Sequence, residues 1–254
     1  MMQLDLHCHT EASFDSRMTV DKIADIARAR GLDAIAITDH NTFAVARDLP
    51  GEPQQGLHFI RGIEVGTDRG DVLGFFLEAE ITTRDFCRTV DAIHEQGGLA
   101  ILAHPFKWTR RLAEDTLERV DGIEVYNARG QGFSRWNSND LARHLWTLRP
   151  ELIPTAGSDA HLYAEIGRGR IAYASADGND LEALLRAQSE PRFHRRDSSL
   201  IPEARSQFTK LTKQPNLKQL LRFGRHLART GLWTVRGAGT RSAESAVSVT
   251  EESG

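Results

Sequence analysis

Apolar residues along the first 190 positions fall into two alternating rhythms. Short, nearly continuous apolar runs recur at LDLHCH (4–9), AIAIT (34–38), HFIRGIEVGT (58–67), DVLGFFL (71–77), LAILAH (99–104), GIEVYN (122–127), LIPTAG (152–157) and RIAYA (170–174). Runs of this kind read as buried strands. Between them lie segments with helical spacing. TVDKIADIARARG repeats its apolar positions on one face, with Thr19 as N-cap and Gly31 just past the C-terminus. Further helices are predicted near 83–96, 111–119, 135–147 and 179–188. Asp68-Arg69-Gly70 separates two strand-like runs and reads as a hairpin turn.

Strands alternating with helices imply parallel βαβ units, and about seven of them closing on themselves make a barrel with its chemistry at the C-terminal strand ends. The alternation stops at Pro191. Beyond it, Leu217, Leu220, Leu221, Leu227 and Ala228 share one helical face, while Lys218, Arg222, Arg225 and Arg229 occupy the rest. The expected organisation is a barrel over 1–190, a basic helical extension over 191–236 that docks its apolar face on the barrel, and a disordered tail over 237–254.

Charge sharpens this division. The net charge is −3, yet residues 191–254 carry 12 Lys and Arg against 5 Asp and Glu, leaving the first 190 residues strongly acidic. An acidic body suits cation binding. Only Cys8 and Cys87 occur, which excludes a disulfide framework and fits a reducing compartment. No apolar run is long enough to span a bilayer, and the first strand starts almost at Met2, leaving no room for a signal segment, so the expected location is the cytoplasm.

Imidazoles and carboxylates gather where the strands end: His7 and His9, Asp39 and His40, Glu64, His104, and Asp159 and His161. Such a set, drawn from across 150 residues, is metal-ligand chemistry. Strand alternation points His7 and His9 to one face together with Asp5, which is placed to orient a ligand, and turns Cys8 away with Leu4 and Leu6. Either member of Asp39-His40 is a ligand while the other caps or orients. Glu64 lies in an otherwise apolar strand, where a lone carboxylate is costly without a cation; an ion pair to Arg61 is the alternative. Asp15, taken alone, reads as a turn former.

In order, DLHCHT, ITDHN, GIEV, AHP, GIEVYN and GSDAH resemble the motifs of the PHP (polymerase and histidinol phosphatase) family of metal-dependent phosphoesterases, over residues 3–161. The resemblance implies an α/β fold, a distorted (β/α)₇ TIM-like barrel holding two or three divalent metals. It implies one metal on His7, His9, Glu64 and Asp159, a second on Glu64 and His104, and a third on Asp15, His40 and His161. Asn127 lies near the position of a further family ligand, and Glu124 is expected to support its neighbours. The mixed donor set suits Mn²⁺, Fe²⁺ or Zn²⁺ better than Mg²⁺.

Clustered divalent metals activate water and clamp the oxygens of a phosphate ester. The expected activity is hydrolysis of a phosphate ester on a small nucleotide-like or sugar-like substrate. Asp159 and His161 are candidates for proton transfer to the leaving group, and Arg17, Lys107, Asn127, Arg129 and Arg135 for substrate contact. The alternatives are 5′–3′ exonuclease action on short oligonucleotides, an amidohydrolase-type reaction, and a non-catalytic metal-binding module. The sequence leaves the oligomeric state open.

Overall fold

The computed structural model describes residues 1–113, 115–130, 137–174, 180–187 and 191–237. The first helix shows how directly the sequence acts. Strand β1 (Met2–Cys8) leads into helix α1 (Val20–Ala29), which buries Ile23, Ala24 and Ala27. Its end is a Schellman motif: Gly31 takes φ +68°, Gly31 N donates to Arg28 O at 3.0 Å and Leu32 N to Ala27 O at 3.0 Å. Strands β2 (Ala34–Ile37), β3 (His58–Thr67) and β4 (Gly70–Phe75) follow, with a short 3₁₀ turn at Ala46–Asp48. Helix α2 (Phe86–His94) precedes β5 (Leu99–Leu102), α3 (Thr116–Arg119) and β6 (Gly122–Asn127). Then come α4 (Ser138–Leu148), β7 (Ile153–Gly157), β8 (Gly169–Tyr173), α5 (Leu181–Ala187), β9 (Arg192–Arg195), α6 (Leu200–Lys213) and α7 (Leu217–Gly237).

The strands form one sheet in the order β7-β6-β5-β4-β3-β2-β1-β8-β9. It is mixed, which departs from seven uniform βαβ repeats. The pairs β1–β2, β2–β3, β5–β6 and β6–β7 are parallel, whereas β3–β4, β4–β5, β1–β8 and β8–β9 are antiparallel. The reason is local: a two-residue turn joins β3 to β4, pairing Thr67 with Gly70, and a turn that short reverses the chain. The hairpin forms where the sequence placed it. The strand β9, after Pro191, carries no apolar alternation because three of its four residues, Arg192, His194 and Arg195, are exposed.

The sheet curls until β7 meets β1, giving a nearly closed barrel. Ser158 N donates to Asp5 Oδ1 at 2.8 Å, and His9 N to Ala160 O at 3.0 Å. This seam depends on Gly157, where a Cβ would collide with His7 Cβ and lie 2.8 Å from Glu124 Oε1. One buried cluster joins residues of the strands, Leu4, Leu6, Ala36, Ile60, Leu73, Phe75 and Ile101 among them, to α5. The other packs the opposite strand faces against α1 and α2.

Cys8 belongs to that second cluster, while Leu4 and Leu6 belong to the first, so simple alternation along β1 fails. The register against β2 shifts between Asp5 and Cys8, a bulge that breaks the period of two. The docking expected of α7 is also corrected. Its leucines face solvent, with Leu217, Leu220, Leu221 and Leu227 each at least half exposed, and only Gln219 among its described side chains is buried. Helix α6 makes the attachment instead: Lys213 Nζ donates to Glu11 O and Ser13 O, and Arg17 Nη2 to Thr212 Oγ1. The segment 238–254, expected to be disordered, lies outside the described residues.

Candidate metal centre

Eight side chains from four strand ends, one strand interior and one loop meet at one mouth of the barrel. His7 and His9 leave the end of β1, His40 follows β2, Glu64 sits within β3, His104 follows β5, and Asp159 and His161 follow β7. Asp15 comes from the loop after β1. His9 Nε2 lies 3.2 Å from Asp159 Oδ1, and His7 Nε2 lies 3.6 Å from both that oxygen and Glu64 Oε2. Glu64 Oε1 reaches His104 Nε2 at 3.1 Å. Asp15 Oδ1 lies 3.2 Å from His161 Nε2 and 3.6 Å from His40 Nε2. The donors thus group into three overlapping sets: His7, His9 and Asp159; Glu64, His104 and Asp71; and His9, His40 and His161.

Groups behind the candidate ligands hold their donors inward. His7 Nδ1 pairs with Glu124 Oε1 at 3.1 Å, and His9 Nδ1 with Ser13 Oγ at 3.2 Å, leaving each Nε2 toward the centre. His161 Nδ1 bonds Asp159 O at 2.8 Å. Asp39 accepts from Thr10 N, Thr10 Oγ1 and Ser13 Oγ at 2.5–2.7 Å, so it fixes the loop while His40 faces the cluster. Asp5 does not touch an imidazole. It accepts from Ser158 N and Gly167 N and closes the barrel seam, because the bulge separates it from the face of His7. Asp159 and His104 adopt left-handed backbone, φ +51° and +27°, at the two sharp exits from β7 and β5.

Electrostatics explain why these groups belong with cations. His7 Nε2, His9 Nε2, Asp15 Oδ1 and Glu64 Oε2 are buried, face only the charged groups of the cluster itself, such as His40 Nδ1 at 2.6 Å from Glu64 Oε2, and make no well-formed hydrogen bond. Unsatisfied donors and acceptors at the centre of a buried cluster are costly unless an ion completes them. The donor set, imidazole with carboxylate, fits divalent transition metals. Burial opposes the charged forms throughout, but neighbours prevail: Glu64 is held well below the usual carboxylate range by His40 and His7, and Asp159 by Lys107 and His7. His40 is pushed up to about 9 against its burial by Glu64 and Asp15. Burial, with His161 and His40 nearby, holds His9 well below the ordinary imidazole value.

A cavity of about 530 Å³ opens over the cluster. Of the expected substrate contacts, Lys107 and Arg129 line it. Lys107 Nζ pairs with Asp159 Oδ2 at 2.9 Å, and Arg129 is buried in a bidentate pair with Glu165 at 2.8 and 2.5 Å. Asn127 lies beneath the site, donating to Glu124 Oε2 at 3.0 Å, and Arg17 bonds α6. Arg135 falls outside the described residues. The reading of the sequence passed over Asp71, whose Oδ2 lies 3.7 Å from His104 Nε2. The hairpin register held the signal: Asp71 opposes Gly66, two residues from Glu64 on the same face. It also passed over the cavity-lining Gln207, Lys210, Arg222, Arg225 and His226, all from α6 and α7.

A model of the PHP domain matches residues 5–138, more than half of the chain, and one of the PHP-associated segment matches 137–192. The chain belongs to the PHP family. A relative in Methanocaldococcus jannaschii, an uncharacterized protein, is 33% identical over 141 residues, half of this chain and 82% of its own. PsfC from Pseudomonas syringae PB-5123 shares the fold with a TM-score of 0.56 at 22% identity, over 84% of this chain and 98% of its own. A two-domain protein of Bacteroides vulgatus, containing a predicted PHP-like metal-dependent phosphoesterase, superposes with a TM-score of 0.54 at 19% identity, over 76% of this chain and 65% of its own. At such identities the likeness is one of fold, and the chemistry rests on the PHP site itself.

Proposed function

We propose that this protein hydrolyses a phosphate ester of a small nucleotide-like or sugar-like molecule, with two or three Mn²⁺, Fe²⁺ or Zn²⁺ ions as cofactors. The observation that carries this reading is the convergence of His7, His9, Asp15, His40, Glu64, His104, Asp159 and His161, with four of their buried donor atoms left without well-formed hydrogen bonds. When bound there, divalent ions lower the pKa of water toward about 7 and neutralise charge on the ester oxygens. The chain's own groups divide the remaining tasks. Glu124 and Ser13 hold His7 and His9 in the tautomer that offers Nε2. Asp71 would join Glu64 and His104 in holding an ion. Lys107, beside Asp159 at the cavity wall, orients the ester, and Asp159 with His161 conveys the proton to the leaving oxygen.

Phosphate release from nucleotides, sugar phosphates and short oligonucleotides, measured with Mn²⁺ and again with chelator, tests the reading. Release that requires the metal supports it. Absence of release from every ester, or release indifferent to chelator, overturns it.

A further inference from the structure

Helices α6 and α7 lie outside both segments that define the family, which end at residue 192, yet they roof the metal cavity. Lys210 Nζ sits 3.7 Å above the Phe14 ring, and Phe14 stacks on His40 at 4.8 Å, so the roof reaches a candidate ligand through Phe14. Arg222 and Arg225 line the same cavity from α7. Among the described residues neither makes an ion pair or a hydrogen bond. Of the barrel's own cations, Lys107 stands beside Asp159, where the reacting ester would lie, while Arg129 is committed to Glu165 and Ser206 and Arg17 to Thr212. Helix α7 carries Lys218, Arg222, Arg225, Arg229 and Arg236 and no Asp or Glu.

Lys210 is half-buried and Arg222 and Arg225 are exposed at the cavity rim. Their like charges repel, Asp15 and Glu203 on the cavity wall offset part of that, and an anion between the three cations offsets more. The metals would neutralise the phosphate that reacts. A substrate neutral beyond that phosphate gives Lys210, Arg222 and Arg225 nothing to bind. We infer that α6 and α7 form a specificity cap in which Lys210, Arg222 and Arg225 hold a second anionic group of the substrate, a phosphate or carboxylate remote from the scissile ester. This deepens the phosphoesterase reading and rests on it for which phosphate reacts. The cap then sorts phosphate esters by their far end: doubly anionic ones are retained and singly anionic ones are released.

The test is equilibrium binding, by calorimetry on the full-length Mn²⁺-loaded protein, of non-hydrolysable alkane bisphosphonates of three to six carbons and the matching monophosphonates. The best bisphosphonate should bind about tenfold more tightly than its monophosphonate, the effect of roughly one hydrogen-bonded charge contact. Arg222→Gln with Arg225→Gln should collapse that ratio to about twofold, and Arg222→Lys with Arg225→Lys should restore part of it. Lys218→Gln, on the same helix but not lining the cavity, should keep it. Equal melting temperatures exclude misfolding. Equal affinities in the wild type, a ratio surviving in the double Gln variant, or equal loss in Lys218→Gln would each overturn the cap. If the ratio behaves as expected while no ester is hydrolysed, the phosphoesterase reading fails and the cap stands. If esters are hydrolysed without any preference, the cap alone fails.

Discussion

His7 is fixed at Nδ1 by Glu124, which leaves Nε2 facing the carboxylates of Glu64 and Asp159. His7→Ala and Asp159→Ala are each expected to abolish metal-dependent phosphate release, checked alongside metal content by elemental analysis. Glu124→Gln should weaken Mn²⁺ affinity by ~10–100-fold, because it leaves the ligands in place but loosens the orientation of His7. Metal uptake should also depend on pH. With His40 pushed up to about 9 and His7 held above the ordinary imidazole range by Glu124, Asp159 and Glu64, binding must displace protons. Affinity should therefore rise with pH up to about 9, and calorimetry in buffers of different ionisation heat should register proton release. Cys8 gives the contrast: burial pushes its thiol well above its ordinary pKa, and it packs away from the cluster. Cys8→Ala should keep activity and cost about 1–2 kcal/mol of stability, read by denaturant unfolding.

At the scale of elements, the seam between β1 and β7 brings His7 beside Asp159. Gly157 permits the approach, since a methyl group would meet His7 Cβ and Glu124 Oε1. Gly157→Ala should cost about 1–3 kcal/mol by overpacking and lower metal affinity as well, measured by unfolding and by metal titration. The loops above that seam are tied by one buried pair: Arg129, after β6, holds Glu165, after β7, and reaches Ser206 of α6. Arg129→Ala would strand the Glu165 carboxylate without its partner. The expected loss is about 3–5 kcal/mol of stability, visible in the thermal midpoint as well as in KM.

Over the whole molecule, the acidic barrel and basic extension meet at the metal cavity. Metals that bind only the folded chain add stability by mass action, about 2.7 kcal/mol at a hundredfold excess over Kd. Chelation should lower the melting temperature of the full-length protein, and added Mn²⁺ should restore it in a concentration-dependent way. An unchanged midpoint would mean that the cluster holds no ion. No helix among the described residues is long and apolar enough to cross a membrane.

The candidate ligands were legible because strand ends are marked locally: an apolar run stops, and a His or Asp follows it at His9, His40, His104 and Asp159. The Schellman end of α1 and the β3–β4 turn were equally local, set by Gly31 and by Asp68-Arg69-Gly70. How β7 and β8 crowd β1 depends on contacts between residues more than 100 positions apart, and the bulge that redirects Cys8 depends on how β1 pairs with β2. No periodicity records those contacts. The same holds for α7. Its sequence specifies an amphipathic helix, but which face meets the protein was settled by α6 and the Lys213 tie to the loop of Asp15, which leave Arg222 and Arg225 at the rim of the cavity. Hydrophobic pattern chooses an element's faces; only the assembled neighbours choose which face is covered.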